Sequence, residues 1–370
     1  MSKICLVAHF AYGALKHGDS GHVGGVERQM SILGPWLAAQ GHEVSILTWD
    51  EGHPNDEIIN GVRVIKICKQ SAGLPIIRFF MPRWSGLIAA MKKANADIYY
   101  QNCAELVTGQ VAFWCRKNNR RFVYSVASDP DCEADLKKFK KTYERVLYRK
   151  GLELADAIIV QNRYQQSSLK SGFGRDSTIL RMPIDGPTDV SMERPSQARV
   201  LWVGRLVTVK RLEWLLEISA LCPDIHFDVV GPEYENTEQA RLNLEQMREA
   251  HNVTYHGRVA LKDMAPYYRR ASLLCNTSVL EGFPNTFIEA WANGRPVVSS
   301  VDPDGLISSS DLGRHFSSPE EAAGIISQIV SDPVLWQSMA DASRSYFLDQ
   351  HETSAAIPRF ENVLLNEAQE

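Results

Sequence analysis

The chain has 370 residues, 44% of them apolar, enough for two cores at roughly 100–200 residues per domain. Its net charge of −4 removes any bulk-charge argument for nucleic acid, and no run approaches the ~18 apolar residues of a membrane span. Seven cysteines, at 5, 68, 103, 115, 132, 222 and 275, lack Cys-x-x-Cys spacing and read as reduced, mostly core thiols of a cytoplasmic protein.

The start, 3-KICLVAHF-10, is a short apolar run entering a Gly-rich loop, which suits a buried first strand and not a secretory leader. His9 ends that run and reads first as a satisfied loop histidine. Val26, Met30, Leu33 and Leu37 recur at helical spacing, with Gly41 as a stop. Further strands are expected at 43–48, 62–67, 97–101, 121–126 and 157–161. Strands alternating with helices imply a parallel sheet covered on both faces. After the fifth expected strand, Asp129-Pro130-Asp131 reads as a turn before it reads as a metal site.

The segment 137–151 has seven Lys/Arg and one Glu. Leu136, Phe139, Tyr143, Val146 and Leu147 recur at helical spacing, so an inward apolar stripe with a solvated cationic face is expected. The alternative for that face is peripheral contact with an anionic membrane. The stretch 183-PIDGPTDVSMERPSQA-198 reads as a linker, and the strand–helix pattern then restarts. Strands are expected at 199–204, 225–231, 253–257, 273–277 and 296–300. The chain is therefore α/β, with two doubly wound Rossmann-like domains facing a central crevice: residues 1–190 and 195–345. A closing segment, 346–370, carries a last helix near 353–367.

Chemistry concentrates in the second half. In 199-RVLWVGRLVTVKRLEWLLEISA-220 a helix is expected from about Thr208, with Arg205 just past the strand and Lys210 and Arg211 in the first turn. A helix N-terminus is electropositive and favours anions. Cations crowded there point to a bound phosphate or diphosphate for Arg205 and Lys210, while Arg211 reads as a side chain swung into water. Further on, 281-EGFPNTFIEAWANGRPVV-298 sets Glu281 and Glu289 eight positions apart around another helix start. Thr286 and Glu289 fit a capping box. Glu281 suits loop amides or sugar hydroxyls, which a carboxylate accepts well. Asp302-Pro303-Asp304 again reads as a turn.

Together, 203-VGRLVTVK-210, 281-EGFPNTFIEAWANGRPVV-298 and 24-GGVERQ-29 resemble the family-4 retaining glycosyltransferases of GT-B fold. The resemblance spans most of the chain and implies roles position by position. Arg205 and Lys210 would neutralise the diphosphate of a nucleotide-sugar donor, Glu281 would hold sugar hydroxyls, and Glu289 would hold the ribose. Gly282, Phe283, Asn285 and Thr286 would line the sugar and β-phosphate beside Pro284, which has no N–H to give. Gly24 and Gly25 would let the first domain's backbone approach the diphosphate, and Glu27 of the same loop would be a substrate-binding residue. Arg258 and Val259, facing Gly231, would hold the base. One departure stands out: Ser128, followed by Asp129, occupies the place where the family often has a histidine.

The resemblance implies a hexosyl-type transferase that moves a sugar to a hydroxyl of a glycan or lipid-linked acceptor with retention. The first domain would bind the acceptor and the second the donor, with closure around the donor. No metal or other cofactor is implied, and the location would be cytoplasmic, with the inner face of the membrane as the site of any lipid contact. Ser128 suggests one rival, a catalytically silent sugar-nucleotide-binding protein; a nearer rival is a sugar-nucleotide epimerase on the same GT-B fold.

Overall fold

The computed structural model describes residues 1–16, 24–74, 77–187, 189–235 and 237–366. Thr188 of the expected linker and residues 367–370 of the expected closing segment lie outside them. Two compact units form. One comprises residues 1–183 together with the chain from Thr353 onward; the other comprises 184–352. The expected divisions lay at 190–195 and 345–346. Residues 346–352 stay with the second unit, where the Ile184 N–H donates to His351 O at 2.9 Å.

The first unit is built on strands β1 (Lys3–Val7), β2 (Glu43–Thr48), β3 (Ile58–Ile59), β4 (Val62–Lys66), β5 (Ile98–Asn102), β6 (Arg121–Ser125), β7 (Ala157–Val160) and β8 (Thr178–Ile179). They form one sheet in the order β3-β4-β2-β1-β5-β6-β7-β8. β3 runs antiparallel to β4 and the other pairings are parallel. Alternate residues of β1 serve opposite cores: Cys5 and Val7 pack with Tyr99 and Phe122, and Ile4 and Leu6 pack with Met30, Leu33 and Leu37. A sheet buried on both faces explains why this strand reads as an unbroken apolar run.

The helix Thr353–Leu365 adds Ile357, Phe360 and Leu364 to the second of these cores. His42 Nε2 meets Glu361 Oε1 at 2.7 Å, and Arg121 donates to the carbonyls of Val363 (3.1 Å) and Leu364 (3.0 Å). A cation at a helix C-terminus is favourable because the last carbonyls there are electronegative.

The helices Leu106–Lys117 and Thr142–Leu154 touch through glycines: a Cβ on Gly109 would lie 2.2 Å from the Leu147 carbonyl oxygen. That contact sets the phase of the second helix. Tyr148, Gly151 and Leu152 turn inward, whereas Tyr143 and Val146 are 48% and 54% exposed. The expected single inward stripe over 136–147 is therefore corrected. Leu136 and Phe139 are buried, but from a turn in which Leu136 is left-handed (φ 49°), and the helix starts only at Thr142.

The second unit holds β9 (Arg199–Val203), β10 (His226–Val230), β11 (Val253–Tyr255), β12 (Leu273–Asn276), β13 (Val297–Ser299) and β14 (Gly313–His315), all parallel, in the order β11-β10-β9-β12-β13-β14. Trp202, Phe227, Phe316 and Trp336 fill its core. Strands β3, β8 and β14 were not anticipated; two or three residues carry no readable alternation. Among the described residues, no helix is long and apolar enough to cross a membrane. All seven cysteines are free thiols, and burial pushes Cys5 up to about 12.

Candidate functional site

Each sheet reverses its strand order once, between β1 and β5 in the first unit and between β9 and β12 in the second. In open α/β sheets, ligands bind beyond the carboxyl ends of the strands at such a reversal, because the loops there diverge and leave room.

In the second unit those two loops are tied together. After β9 the chain makes a short turn, Thr208–Lys210, and Arg211 adopts a left-handed conformation (φ 45°, ψ 58°). The helix begins at Leu212, not at Thr208, so Lys210 and Arg211 precede it and Glu213 occupies its first turn. Arg211 is not swung into water. Its Nε donates to Thr277 O (2.8 Å), its Nη2 donates to Ser278 O (3.2 Å), and its guanidinium stacks 3.5 Å from the Trp214 ring centroid. Thr277 Oγ1 accepts from Trp202 Nε1 (3.1 Å) and donates to Lys210 O (2.6 Å), while Val279 N–H donates to Val209 O (2.8 Å).

This frame brings Lys210 and Glu281 together. Lys210 Nζ pairs with Glu281 Oε1, and Ser278 Oγ donates to the same oxygen at 2.7 Å. Both contacts use Oε1, so Oε2 keeps its acceptor positions. The helix Asn285–Ala292 starts directly after, with Pro284 at its N-cap and no side chain capping it. The capping box is therefore corrected: Glu289 instead accepts a hydrogen bond from Tyr268 Oη, across to another helix. Phe283, Asn285 and Thr286 are part-exposed on this loop, and Pro284 is buried.

Arg205 lies 4.8 Å from the Tyr234 ring centroid, both being exposed. Gly231 crosses β9 so closely that a Cβ would meet Gly204 O at 1.7 Å, and its N–H donates to Gly257 O at 2.9 Å. The loop carrying Gly257, Arg258 and Val259 is held from below by Asp228. That carboxylate, nearly buried, meets His256 Nε2 (2.7 Å), Arg270 Nη2 (2.7 Å) and Arg199 Nη1 (3.2 Å). Burial would raise the Asp228 carboxyl, but the His256 hydrogen bond and the Arg270 and Arg199 charges hold it below its ordinary value.

In the first unit, Gly24 is the extended N-cap of the helix Gly25–Ala39, and Glu27 Oε2 accepts the Gly24 N–H at 3.0 Å. Ser128 caps a short turn, 129–131, and donates its N–H to Asp131 Oδ2 at 3.2 Å. Asp131 is fully buried and pairs with Lys138 Nζ at 2.8 Å. Asp129 Oδ1 accepts from Gln165 Nε2 (2.8 Å) and Asn162 Nδ2 (3.3 Å). Asp302 accepts the N–H groups of Ile307 and Ser308 at 2.7 and 3.2 Å. Among the described residues, no three His, Cys, Asp or Glu cluster as a metal site would require.

His9 is more than a loop histidine. It sits at the β1/β5 reversal, stacked on Trp49 (4.3 Å between centroids, 16°), with Nδ1 3.0 Å from Glu105 Oε2. Burial would raise the Glu105 carboxyl, yet the His9 hydrogen bond and the His9 and Lys138 charges hold it below the usual glutamate value. A pocket of about 400 Å³ opens beside them. Glu105 was missed because it belongs to no periodic run; its one signal was its position just past an expected strand.

The model described as "Glycosyl transferases group 1" matches residues 197–332, and "Glycosyltransferase Family 4" matches 23–185. The chain is 26% identical over 202 residues to a lipopolysaccharide core biosynthesis glycosyltransferase, LpsE, of Rhizobium meliloti. That match covers 52% of this chain, and the chain spans about half (55%) of that curated relative. Among solved structures, sucrose-phosphate synthase from Thermosynechococcus elongatus superposes with a TM-score of 0.76 at 20% identity, covering 98% of each chain. HepE from Anabaena, solved with UDP and glucose, superposes at 0.75 and 15% identity over 98% of this chain and 99% of its own. At these identities the structural matches show the fold.

The Asp228 cluster generates a pH prediction. Its folded value lies below the unfolded ~3.9, so its stabilisation is fully present above about pH 4 and is lost as pH falls through the folded value. Asp228→Asn should melt earlier at pH 7 and flatten the acid limb of Tm against pH. Acid limbs of equal steepness in both proteins would contradict this.

Proposed function

Because the chain belongs to the family-4 glycosyltransferases of GT-B fold, we propose that it moves a hexosyl group from a nucleotide-diphosphate sugar to a hydroxyl of a glycan or lipid-linked acceptor, with retention at the anomeric carbon. The observation that carries this reading is the Lys210–Glu281 pair, held at the β9/β12 reversal beside an uncapped helix start. An ammonium and the electropositive end of a helix suit a diphosphate; a carboxylate with one uncommitted oxygen suits a sugar hydroxyl.

In this reading Arg205 and Lys210 neutralise the diphosphate, Glu281 and the loop from Gly282 to Thr286 hold the sugar, and Glu289 holds the ribose with Tyr268 orienting it. Gly231, Arg258 and Val259 face the base. Gly24, Gly25, Glu27, Ser128 and Asp129 are the first unit's contribution, and that unit binds the acceptor. The acceptor oxygen bonds to the anomeric carbon on the face from which the donor phosphate leaves. The C–O bond to phosphate breaks with its electron pair, and the acceptor's proton passes to the departing phosphate oxygen. No protein nucleophile is needed, and the protein's work is to stabilise charge on the diphosphate.

No metal is required in this reading, since the cations belong to the chain and the carboxylates are already engaged: Asp129 by Gln165 and Asn162, Asp131 by Lys138, and Asp302 by the N–H groups that follow it. The absence of a histidine at Ser128 favours a second reading, a silent sugar-nucleotide binder. Nucleotide released from donor only when acceptor is present separates the two, and donor epimerised without acceptor identifies an epimerase. The segment 137–151 would give peripheral contact with the inner face of an anionic membrane, its cations now joined by outward Tyr143 and Val146.

Arg205→Ala and Lys210→Ala should each weaken nucleoside diphosphate binding by about 1.5–3 kcal/mol and abolish turnover. Glu281→Ala should lower turnover and blur sugar choice, whereas Glu289→Ala should weaken the bare nucleotide. Calorimetric titration with UDP, GDP and ADP, and their sugars, checks this. Donor affinity unchanged in both cation variants would sink the diphosphate assignment.

For the membrane contact, each basic residue near an anionic surface contributes about 1 kcal/mol, screened as salt rises. The protein should float with anionic liposomes at low salt and be released at high salt. A Lys137/Lys140/Lys141→Glu variant that floats as well as the wild type returns this segment to an ordinary solvated surface.

A further inference from the structure

We propose that the first unit carries a two-part acceptor site, a pocket of mixed aromatic and polar lining for a saccharide and an adjoining apolar groove for a hydrocarbon chain, so that the acceptor is an amphiphile with a sugar head. The proposal rests on the transferase reading above and narrows its acceptor.

The pocket lies at the β1/β5 reversal, where a ligand is expected on topological grounds. Its volume of about 400 Å³ has aromatic walls in Trp49 and Phe79 and polar groups in His9, Glu105, Gln110 and Arg83. Aromatic faces with a few fixed carboxylate, amide and guanidinium groups are what a sugar ring needs: C–H faces to stack, hydroxyls to pair. Arg83 donates through Nη2 to Gln70 O (2.7 Å), and its enclosed Nε has no hydrogen-bond partner.

Phe79 also lines a second, larger cavity, an open groove of about 970 Å³. There Phe79 contacts Phe80, Trp84 and Tyr143, with ring centroids 4.9, 5.5 and 5.9 Å away. The floor continues over Phe113 and Val146, and Phe80 and Val146 are 61% and 54% exposed. This apolar surface faces out because the Gly109 contact fixes the phase of the helix Thr142–Leu154. Large exposed apolar patches mark binding surfaces. Two features commit this one to the acceptor's own chain. It shares the Phe79 wall with the sugar pocket, so a head bound there would deliver its tail along the aromatic row. Lys141, at the helix start, lines it as well, a cation that would favour an anionic group on such an acceptor.

The test is calorimetric titration of the full chain with maltose, with dodecyl maltoside below its critical micelle concentration, and with UDP. Dodecyl maltoside should bind at least tenfold more tightly than maltose. Phe80→Ser/Val146→Ser, at exposed positions, should erase that advantage and leave UDP affinity and Tm unchanged; Glu105→Gln should weaken both sugars alike. No binding of dodecyl maltoside, equal affinity for the two sugars, or an advantage that survives the double variant would overturn the proposal. So would flotation with anionic vesicles in a protein that ignores the monomeric amphiphile. Absence of binding to UDP, GDP and ADP alike would instead strike the transferase reading and leave the amphiphile result standing.

Discussion

The guanidinium of Arg211 joins the two loops on which the second unit's site depends. A left-handed backbone at a residue with a Cβ costs about 1–2 kcal/mol. Two hydrogen bonds to the carbonyls of Thr277 and Ser278 and a stacked indole offset that cost. Burial lowers the Arg211 pKa, yet the group stays charged, as arginine does. With the β9 and β12 loops fastened, Lys210 and Glu281 meet at a fixed place, and the helix start at Asn285 lies directly beyond them. Cation, carboxylate and helix terminus form one arrangement because the loops that carry them cannot separate.

The same logic, a reversal of strand order with chemistry gathered at its mouth, holds in the first unit by itself. There His9, Glu105 and Trp49 take the place of the cation pair, and the ring stack fixes the histidine while the carboxylate fixes its nitrogen. One unit presents a charged surface suited to phosphate; the other presents aromatic walls and mixed polar groups. The asymmetry follows from side chains at equivalent strand ends, not from a difference in architecture.

Much of this was readable in the sequence. Ile4 to Val7 and Leu273 to Asn276 are unbroken because parallel strands are buried on both faces, and the restart near Arg199 marked a second sheet. Arg205, Lys210 and Glu281 were legible as charges at turns, and Glu289 as a charge inside the run that follows. What was not legible depended on contacts distant in sequence. The position of Arg211 is decided by carbonyls some 66 residues away. The partner of Glu289 is Tyr268 on another helix, so a local capping box that fitted the letters lost to a tertiary bond. The stripe through Tyr143 and Val146 fitted an inward face until two glycines, 109 and 151, rotated the helix.

In the proposed reading, Lys210 and Glu281 form the meeting point of diphosphate and sugar. A crystal structure with an intact, non-hydrolysable nucleotide sugar tests it most directly. Lys210 Nζ and the Arg205 guanidinium should lie on phosphate oxygens, with a Glu281 oxygen on a sugar hydroxyl. A donor bound with its diphosphate away from the β9 and β12 loops, leaving the Lys210–Glu281 pair untouched, would contradict it.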